Sequence, residues 1–247
     1  MEGLAFWMLG ALAAFVTGLS KGGLSAFSML AVPLLALVIS PVTAAGLLLP
    51  VFLFSDIFGV WTYRHEFRRD LLRIAAVGTV LGCGIGWLTA HIVSDDLVRV
   101  IIGTIGASFA LKYLLGSGAD APKQSPTWGK GVVLTTIAGF TSFVSHAGAP
   151  PWQMWVMPLK LSKLAFAGTT TIVFAVMNVT KIVPYYYLGQ FSVDNLAVAG
   201  KLFVPAVLGV FVGYQLTRRL PDRVFFGFVI WALLAVSIKL IWDGVTG

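Results

Sequence analysis

The stretch Thr17-Gly18-Leu19-Ser20-Lys21-Gly22-Gly23-Leu24-Ser25 separates two apolar runs near the start of the chain. Its adjacent glycines disfavour a continuous helix, because they add backbone freedom and provide no side chain for packing. Unwound backbone in a bilayer is tolerated only inside protein or along a watery cavity. A half-helix end beside the Lys21 ammonium would favour an anion. The alternative is that Lys21 lies in an ordinary loop or extends to a lipid headgroup, and the stretch alone fits both interpretations.

The composition around this stretch is that of a membrane protein. The 247 residues are 58% hydrophobic and 11% charged, with a mean hydropathy of +0.91, whereas about one quarter of the residues in soluble domains are charged. Apolar segments long enough to span a bilayer recur along the chain. We therefore predict an all-α polytopic membrane protein. The first apolar run lacks a preceding basic segment and is not expected to be a cleaved signal peptide.

Several classes of function are excluded by missing motifs. Cys83 is the only cysteine, so no internal disulfide or cysteine cluster can form, and we expect Cys83 to be a small packing residue. The three histidines lack metal-ligand spacing, and neither a Gly-x-Ser-x-Gly elbow nor an ATP-binding phosphate loop is present. A rhomboid-like protease using His146 would need a glycine-flanked serine at a helix start, which the sequence lacks. We predict no enzymatic activity, no cofactor and no metal.

The apolar segments form two sets separated by a polar linker. In the first set, broken apolar pieces over 4–39 are followed by spans at 41–63, 72–90 and 97–115. In the second, broken pieces over 131–159 are followed by spans at 164–188, 196–216 and 224–242. Each piece of the first break has about 16 residues, short of the roughly 20 that a spanning helix needs. The predicted domains are a first repeat over 1–115, a linker over 116–127 and a second repeat over 128–247.

The two sets align as an internal repeat, the common architecture of secondary transporters. The matching positions, from first to second set, are Gly18 with Gly139, Asp56 with Asn178, Tyr63 with Tyr185, Gly82 with Gly209 and Gly86 with Gly213. Gly82 and Gly86 also form a small-xxx-small face, which predicts a close helix contact.

The charges of corresponding loops predict that the two repeats are inverted. The loop at 64–69 is basic and its counterpart at 189–194 has no Lys or Arg, while the acidic turn at 94–96 corresponds to a basic loop at 218–223. By the positive-inside rule the linker is then cytoplasmic and both termini are outside. Each repeat would contain three full spans and a broken hairpin. Inversion requires an odd number of membrane crossings before the end of the linker. A hairpin that re-enters and one that crosses twice both satisfy this requirement, and the short limbs favour re-entry.

Inverted repeats place the substrate site where the two broken elements meet. Ionisable groups inside a span are costly and by default indicate function. The candidate residues of the first half are Ser20, Lys21, Gly22, Gly23, Ser25 and Asp56. Those of the second half are Thr141, Ser142, Ser145, His146, Gln153, Asn178, Thr180 and Lys181.

Each titratable candidate has a structural alternative. Lys181 either neutralises substrate or extends its ammonium toward the outer end of its span. His146 either transfers a proton, since it titrates nearest neutrality, or is a hydrogen-bonded loop residue. Asp56 either couples transport to a proton or pairs with a nearby cation.

The motifs at both breaks resemble one family of permeases. Gly18-Leu19-Ser20-Lys21-Gly22-Gly23 with Pro33, and Gly139-Phe140-Thr141-Ser142-Phe143 through His146-Ala147-Gly148-Ala149-Pro150-Pro151, are similar to the two signatures of TauE/SafE sulfite exporters, also called 4-toluene sulfonate uptake permeases. The resemblance extends through Lys181-Ile182-Val183-Pro184-Tyr185 and covers nearly the whole chain. Typical members have a Gly-x-Gly-Gly-Gly break where this chain has Ser-Lys-Gly-Gly.

The resemblance implies a bacterial inner-membrane transporter of small, often sulfur-containing anions such as sulfite or organosulfonates. Our own hypothesis for the site is that Lys21 and Lys181 neutralise the anion, while Ser20, Ser142, Ser145 and Asn178, with nearby backbone N–H groups, hydrogen-bond its oxygens. The expected partners are the anion, the lipid bilayer and a second copy of the chain in a homodimer. A passive anion channel, or a membrane partner in sulfur transfer that uses Cys83, are the alternatives.

Overall fold

The computed structural model describes residues 3–39, 41–89, 95–117, 122–145, 148–189 and 193–246, and these residues form helices joined by short connections. The all-α prediction is therefore confirmed. In chain order the helices are α1 (Leu4–Lys21), α2 (Ser28–Ala36), α3 (Pro41–Tyr63), α4 (Arg69–Thr89), α5 (Asp95–Lys112), α6 (Trp128–Ser145), α7 (Ala149–Val156), α8 (Lys163–Tyr187), α9 (Val193–Arg219) and α10 (Asp222–Thr246).

The predicted break after Lys21 is present, and glycine geometry explains it. Gly22 follows α1, and Gly23 has φ of +117°, a conformation that residues with a side chain rarely adopt. The Gly23 N–H donates to the Ser20 carbonyl and the Leu24 N–H donates to the Leu19 carbonyl, both at 3.2 Å. This pair of bonds is the Schellman motif, which ends a helix by satisfying its last carbonyls.

The limbs on the two sides of each break differ in length. After the first break a 3₁₀ turn (Ser25–Phe27) leads into α2, which has only nine residues. The helix of the second limb is thus shorter than the apolar run that contains it. In the second half the 18-residue α6 is followed by the eight-residue α7 and a 3₁₀ turn (Met157–Leu159).

Six of the described helices have the length and composition to cross a membrane: α1, α3, α4, α8, α9 and α10. Five of them are spans that the sequence predicts as full crossings. The sixth, α1, is the long limb of the first break. The predicted span at 97–115, most of which lies in α5, is not among these six described helices.

The chain forms two compact units, and each combines helices from both halves of the sequence. Unit 1 comprises Met1–Phe67 and Ala167–Leu220, and therefore α1, α2, α3, most of α8, and α9. Unit 2 comprises Arg68–Phe166 and Pro221–Gly247, and therefore α4, α5, α6, α7 and α10.

Glycines allow close helix packing inside unit 1. A Cβ added to Gly18 of α1 would collide with the Ala206 carbonyl oxygen of α9. A Cβ added to Gly209 of α9 would collide with the Phe15 carbonyl oxygen of α1. The backbones of α1 and α9 therefore touch, as small residues allow in membrane helices.

The same contacts recur inside unit 2 at the positions that the sequence repeat pairs. A Cβ on Gly82 of α4 would collide with the Thr136 carbonyl oxygen of α6, and one on Gly139 of α6 would lie 2.6 Å from the Thr79 carbonyl oxygen of α4. The close contact predicted for the Gly82 face is confirmed. Cys83 is fully buried beside Gly139, as expected of a packing residue. This equivalence of contacts supports the repeat, whereas the inversion remains a prediction.

Candidate functional site

A buried ion pair joins the end of α1 to α3 in unit 1. Lys21 Nζ lies 2.7 Å from Asp56 Oδ1, and both side chains are about 95% buried (4% and 5% exposed). Asn178 of α8 donates from Nδ2 to Asp56 Oδ2 at 2.7 Å. The Lys21 ammonium also lies over the Phe52 ring, 5.4 Å from its centroid, where the electron-rich face attracts a cation. Asp56 and Asn178, which the predicted repeat pairs, are thus direct neighbours.

The helix end that places Lys21 is fixed by side chains from three other helices. The Gly22 carbonyl accepts from the Tyr63 hydroxyl of α3 at 2.6 Å and from Thr217 Oγ1 of α9 at 3.2 Å. The Lys21 carbonyl accepts from Thr171 Oγ1 of α8 at 3.1 Å. These donors satisfy carbonyls left without partners where α1 ends. Because this is a C-terminal helix end, its dipole favours the Lys21 ammonium rather than an anion.

A second lysine adds to the positive charge of this region. Lys181 of α8 is 1% exposed and interacts electrostatically with Asp56. Among the described residues the buried charged side chains are Lys21, Lys181 and Asp56. By formal charge these three side chains sum to +1.

A small cavity lies beside the ion pair. It is lined by Lys21, by the hydroxyl-bearing Ser20, Ser25, Ser28, Thr170 and Thr171, and by Phe174. Its volume is about 10 Å³, close to the roughly 10–15 Å³ that one water molecule requires. The cavity can therefore hold about one water but not an anion with several oxygens.

One hydroxyl on this cavity is unsatisfied. Ser25 is buried, and its Oγ has no hydrogen-bond partner among the described residues. Buried polar groups are nearly always paired with protein or ordered water. By contrast, Ser20 Oγ donates to the Thr17 carbonyl at 2.7 Å within α1. Ser25 is consequently the cavity hydroxyl most readily offered to a ligand or water.

The structure brings together the predicted site residues of unit 1, namely Ser20, Lys21, Gly22, Gly23, Ser25, Asp56, Asn178 and Lys181. The hydroxyls of Thr180 and, in unit 2, Thr141 donate to carbonyls of their own helices.

The remaining predicted site residues belong to unit 2. Ser142 of α6 and Gln153 of α7 are buried, and Gln153 Oε1 has no hydrogen-bond partner among the described residues. Ser145 is the last residue of α6. His146 lies outside the described residues, so its predicted role stays a prediction.

Sequence reasoning missed the cavity-lining residues of α8 and the side chains that hold the end of α1. These are Thr170, Thr171, Phe174, Tyr63 and Thr217. The run Thr169-Thr170-Thr171 directly after Gly168 was the available signal, since three consecutive hydroxyls are unusual within an apolar span. The match of Tyr63 to Tyr185 in the repeat was a second, weaker signal.

Comparison with protein-family models gives one finding across most of the chain. A model described as Sulfite exporter TauE/SafE matches residues 9–240. Comparisons with curated proteins and with solved structures gave no match. The family match includes both breaks and the three buried charged residues found in the described part of the chain.

Proposed function

Because the chain belongs to the sulfite exporter TauE/SafE family, and is thus a membrane transporter of anions and not an enzyme, we propose that it moves a small sulfur-containing anion by alternating access. Sulfite and organosulfonates are the proposed substrates, and the bacterial inner membrane is the proposed location. The transport is secondary, driven by an ion gradient rather than by ATP.

The observation that supports this proposal most directly is the buried cluster of Lys21, Lys181 and Asp56. By formal charge the two lysines exceed the one carboxylate, so a bound monoanion would balance these three side chains. Charge-assisted hydrogen bonds to anionic oxygens are about twice as strong as neutral ones. Ser25, with its unsatisfied hydroxyl beside Lys21, would donate to one of these oxygens.

In the proposed mechanism the anion and Asp56 compete for Lys21. When the anion binds, Lys21 turns from the carboxylate to the substrate. Asp56 then either keeps Asn178 and Lys181 as partners or takes up a proton. Protonation of Asp56 would couple anion movement to the proton gradient, and His146 is the alternative proton carrier. The proposal also includes a homodimer, for which no interface residues are assigned.

The second half of the repeat contributes the remaining proposed contacts. Ser142, Ser145, His146 and Gln153 would bind substrate together with Ser20, Gly22, Gly23 and Asn178. This assignment comes from the sequence repeat. The burial of Gln153 with an unsatisfied Oε1 is compatible with a polar contact that forms only in another state.

The small volume of the cavity supports a mechanism with distinct states. Sulfite has four non-hydrogen atoms, whereas the cavity of about 10 Å³ accommodates about one water. Substrate entry therefore requires a rearrangement around Lys21, as alternating access requires and a permanently open channel does not. For the sulfur-transfer alternative, the complete burial of Cys83 gives no support.

Uptake into proteoliposomes tests the proposal. The wild-type protein should transport sulfite or a sulfonate with saturable kinetics that respond to an imposed proton gradient. Lys21→Met should lose at least 90% of this activity, whereas the exposed-lysine control Lys239→Met should keep it. Equal uptake by Lys21→Met and wild type would refute the proposed role of Lys21, and non-saturating flux that ignores the gradient would favour a channel.

A further inference from the structure

Two adjacent cavities lie in unit 2 where the linker meets the start of α6, apart from the ion pair of unit 1. One is an apolar groove of about 500 Å³ and the other is a polar cavity of about 260 Å³. Gln124 of the linker lines both. The two cavities therefore form a continuous surface with an apolar end and a polar end.

The lining of the groove is mostly apolar. Its apolar lining consists of Phe109 of α5, Val133 and Leu134 of α6, Met154 of α7 and Pro158 of the following turn. Val133 is 57% exposed, so the groove is accessible from outside the protein. Trp128, also exposed, begins α6, and tryptophans concentrate at the level of the lipid headgroups. An apolar groove close to such a residue suits an acyl chain of the bilayer.

The polar cavity is lined by cations. Arg68 and Lys123 line it, and Lys130 at the groove donates to Gln124 Oε1 at 3.1 Å. Asp70 accepts a hydrogen bond from Arg68 Nε at 2.8 Å. The described residues of this surface therefore carry three cations and this one carboxylate. Gln124 of the linker is tied to the turn after α7, since its N–H donates to the Pro158 carbonyl at 3.0 Å.

We propose that this surface binds an anionic phospholipid, with its phosphate between Lys123 and Lys130 and one acyl chain in the groove. Basic pockets between helices at the cytoplasmic face bind anionic headgroups, and one interfacial lysine contributes about 1 kcal/mol to that attraction. The adjoining apolar groove distinguishes a lipid from free phosphate. The lysines at the linker predict that it lies on the cytoplasmic side of the membrane. Anionic lipids bind to such pockets on that side.

Native mass spectrometry of the full-length protein in detergent tests the proposal. Phosphatidylglycerol, phosphatidylcholine and glycerol 3-phosphate are titrated separately, and the bound fraction is measured for each. Phosphatidylglycerol should bind more tightly than both. Lys123→Gln should weaken its binding about fivefold, the factor equivalent to one interfacial lysine, whereas Lys112→Gln, an exposed lysine on α5 that lines neither cavity, should not.

A second pair of variants tests the groove. Val133→Trp should fill the groove and weaken phosphatidylglycerol binding, whereas Val80→Trp, at an exposed position on α4, should not. Equal binding of phosphatidylglycerol and phosphatidylcholine would overturn the proposal, as would equal effects of Lys123→Gln and Lys112→Gln. Glycerol 3-phosphate binding as tightly as the lipid, or unchanged binding by Val133→Trp, would reject the acyl-chain site.

Discussion

Neutralising Asp56 by the substitution Asp56→Asn should destabilise the protein severely. The amide keeps the size of the carboxyl and can still accept from Asn178, so the change removes charge rather than packing. Coulombic attraction between Lys21 and Asp56 at 2.7 Å amounts to about 6 kcal/mol at an effective dielectric constant of about 20. Removing one partner of a buried pair costs about 3–5 kcal/mol, because the other charge is left uncompensated.

The two single variants should lose different amounts of stability because Lys181 also interacts with Asp56. Lys21→Met leaves Asp56 with the Asn178 amide and with the nearby Lys181 charge. This variant should therefore lose about 3 kcal/mol of unfolding free energy, the lower end of that range. Asp56→Asn removes the carboxylate that both ammonium groups share, so its loss should lie near 5 kcal/mol. The double variant removes the Lys21–Asp56 pair but leaves Lys181 without the carboxylate, so it should recover only part of the stability that Asp56→Asn loses.

Equilibrium unfolding of the purified protein in mixed micelles measures these differences in the free energy of unfolding. Lys239→Met is the control, since the exposed Lys239–Asp243 pair on α10 should be worth about 0.5 kcal/mol or less. The double variant should remain inactive in transport despite its partly recovered stability. If the losses of Lys21→Met and Asp56→Asn simply add in the double variant, the two residues are not coupled and the reasoning fails.

Three further predictions concern single side chains. Gly82→Ala should lower the unfolding free energy by about 1–3 kcal/mol because its Cβ meets backbone of α6. The control Gly84→Ala, with open space around it, should change that free energy by about 1 kcal/mol or less. Equal losses in the two variants would contradict the close packing of α4 against α6. Tyr63→Phe removes one of two hydroxyls bound to the Gly22 carbonyl and should cost about 1 kcal/mol in the same unfolding assay, so no loss would argue against that bond. Ser25→Ala should leave stability nearly unchanged, since its hydroxyl lacks a partner among the described residues. The same variant should bind a sulfonate about fivefold more weakly in calorimetry, which is the effect of one lost hydrogen bond. Unaltered affinity would exclude Ser25 from the site.

The position of the break could be predicted from sequence because it depends on local backbone chemistry. Two adjacent glycines end α1 after Lys21, and Gly23 supplies the positive φ that the Schellman motif requires. The bounds predicted for α3, 41–63, match the structure. The extent of α2 could not be predicted in this way, since the apolar run continues beyond both ends of the helix.

The charged residues of the site could be predicted because ionisable groups are rare in apolar spans. Their pairing could not be predicted. The sequence left Asp56 as either a coupling group or an ion-pair partner, and only the packing of α1 against α3 brings Lys21 within 2.7 Å. The threonines of α8 were missed for a related reason. A helical threonine commonly donates to its own helix, as Thr180 does, so the sequence does not distinguish one that lines a cavity.

A structure of the protein with bound 2-bromoethanesulfonate tests the proposed anion site most directly, because anomalous scattering from bromine locates the ligand. We expect the sulfonate oxygens within hydrogen-bond distance of Lys21 Nζ and Ser25 Oγ, with Asp56 displaced from Lys21. A sulfonate bound elsewhere, with the Lys21–Asp56 ion pair still intact, would contradict the proposed site.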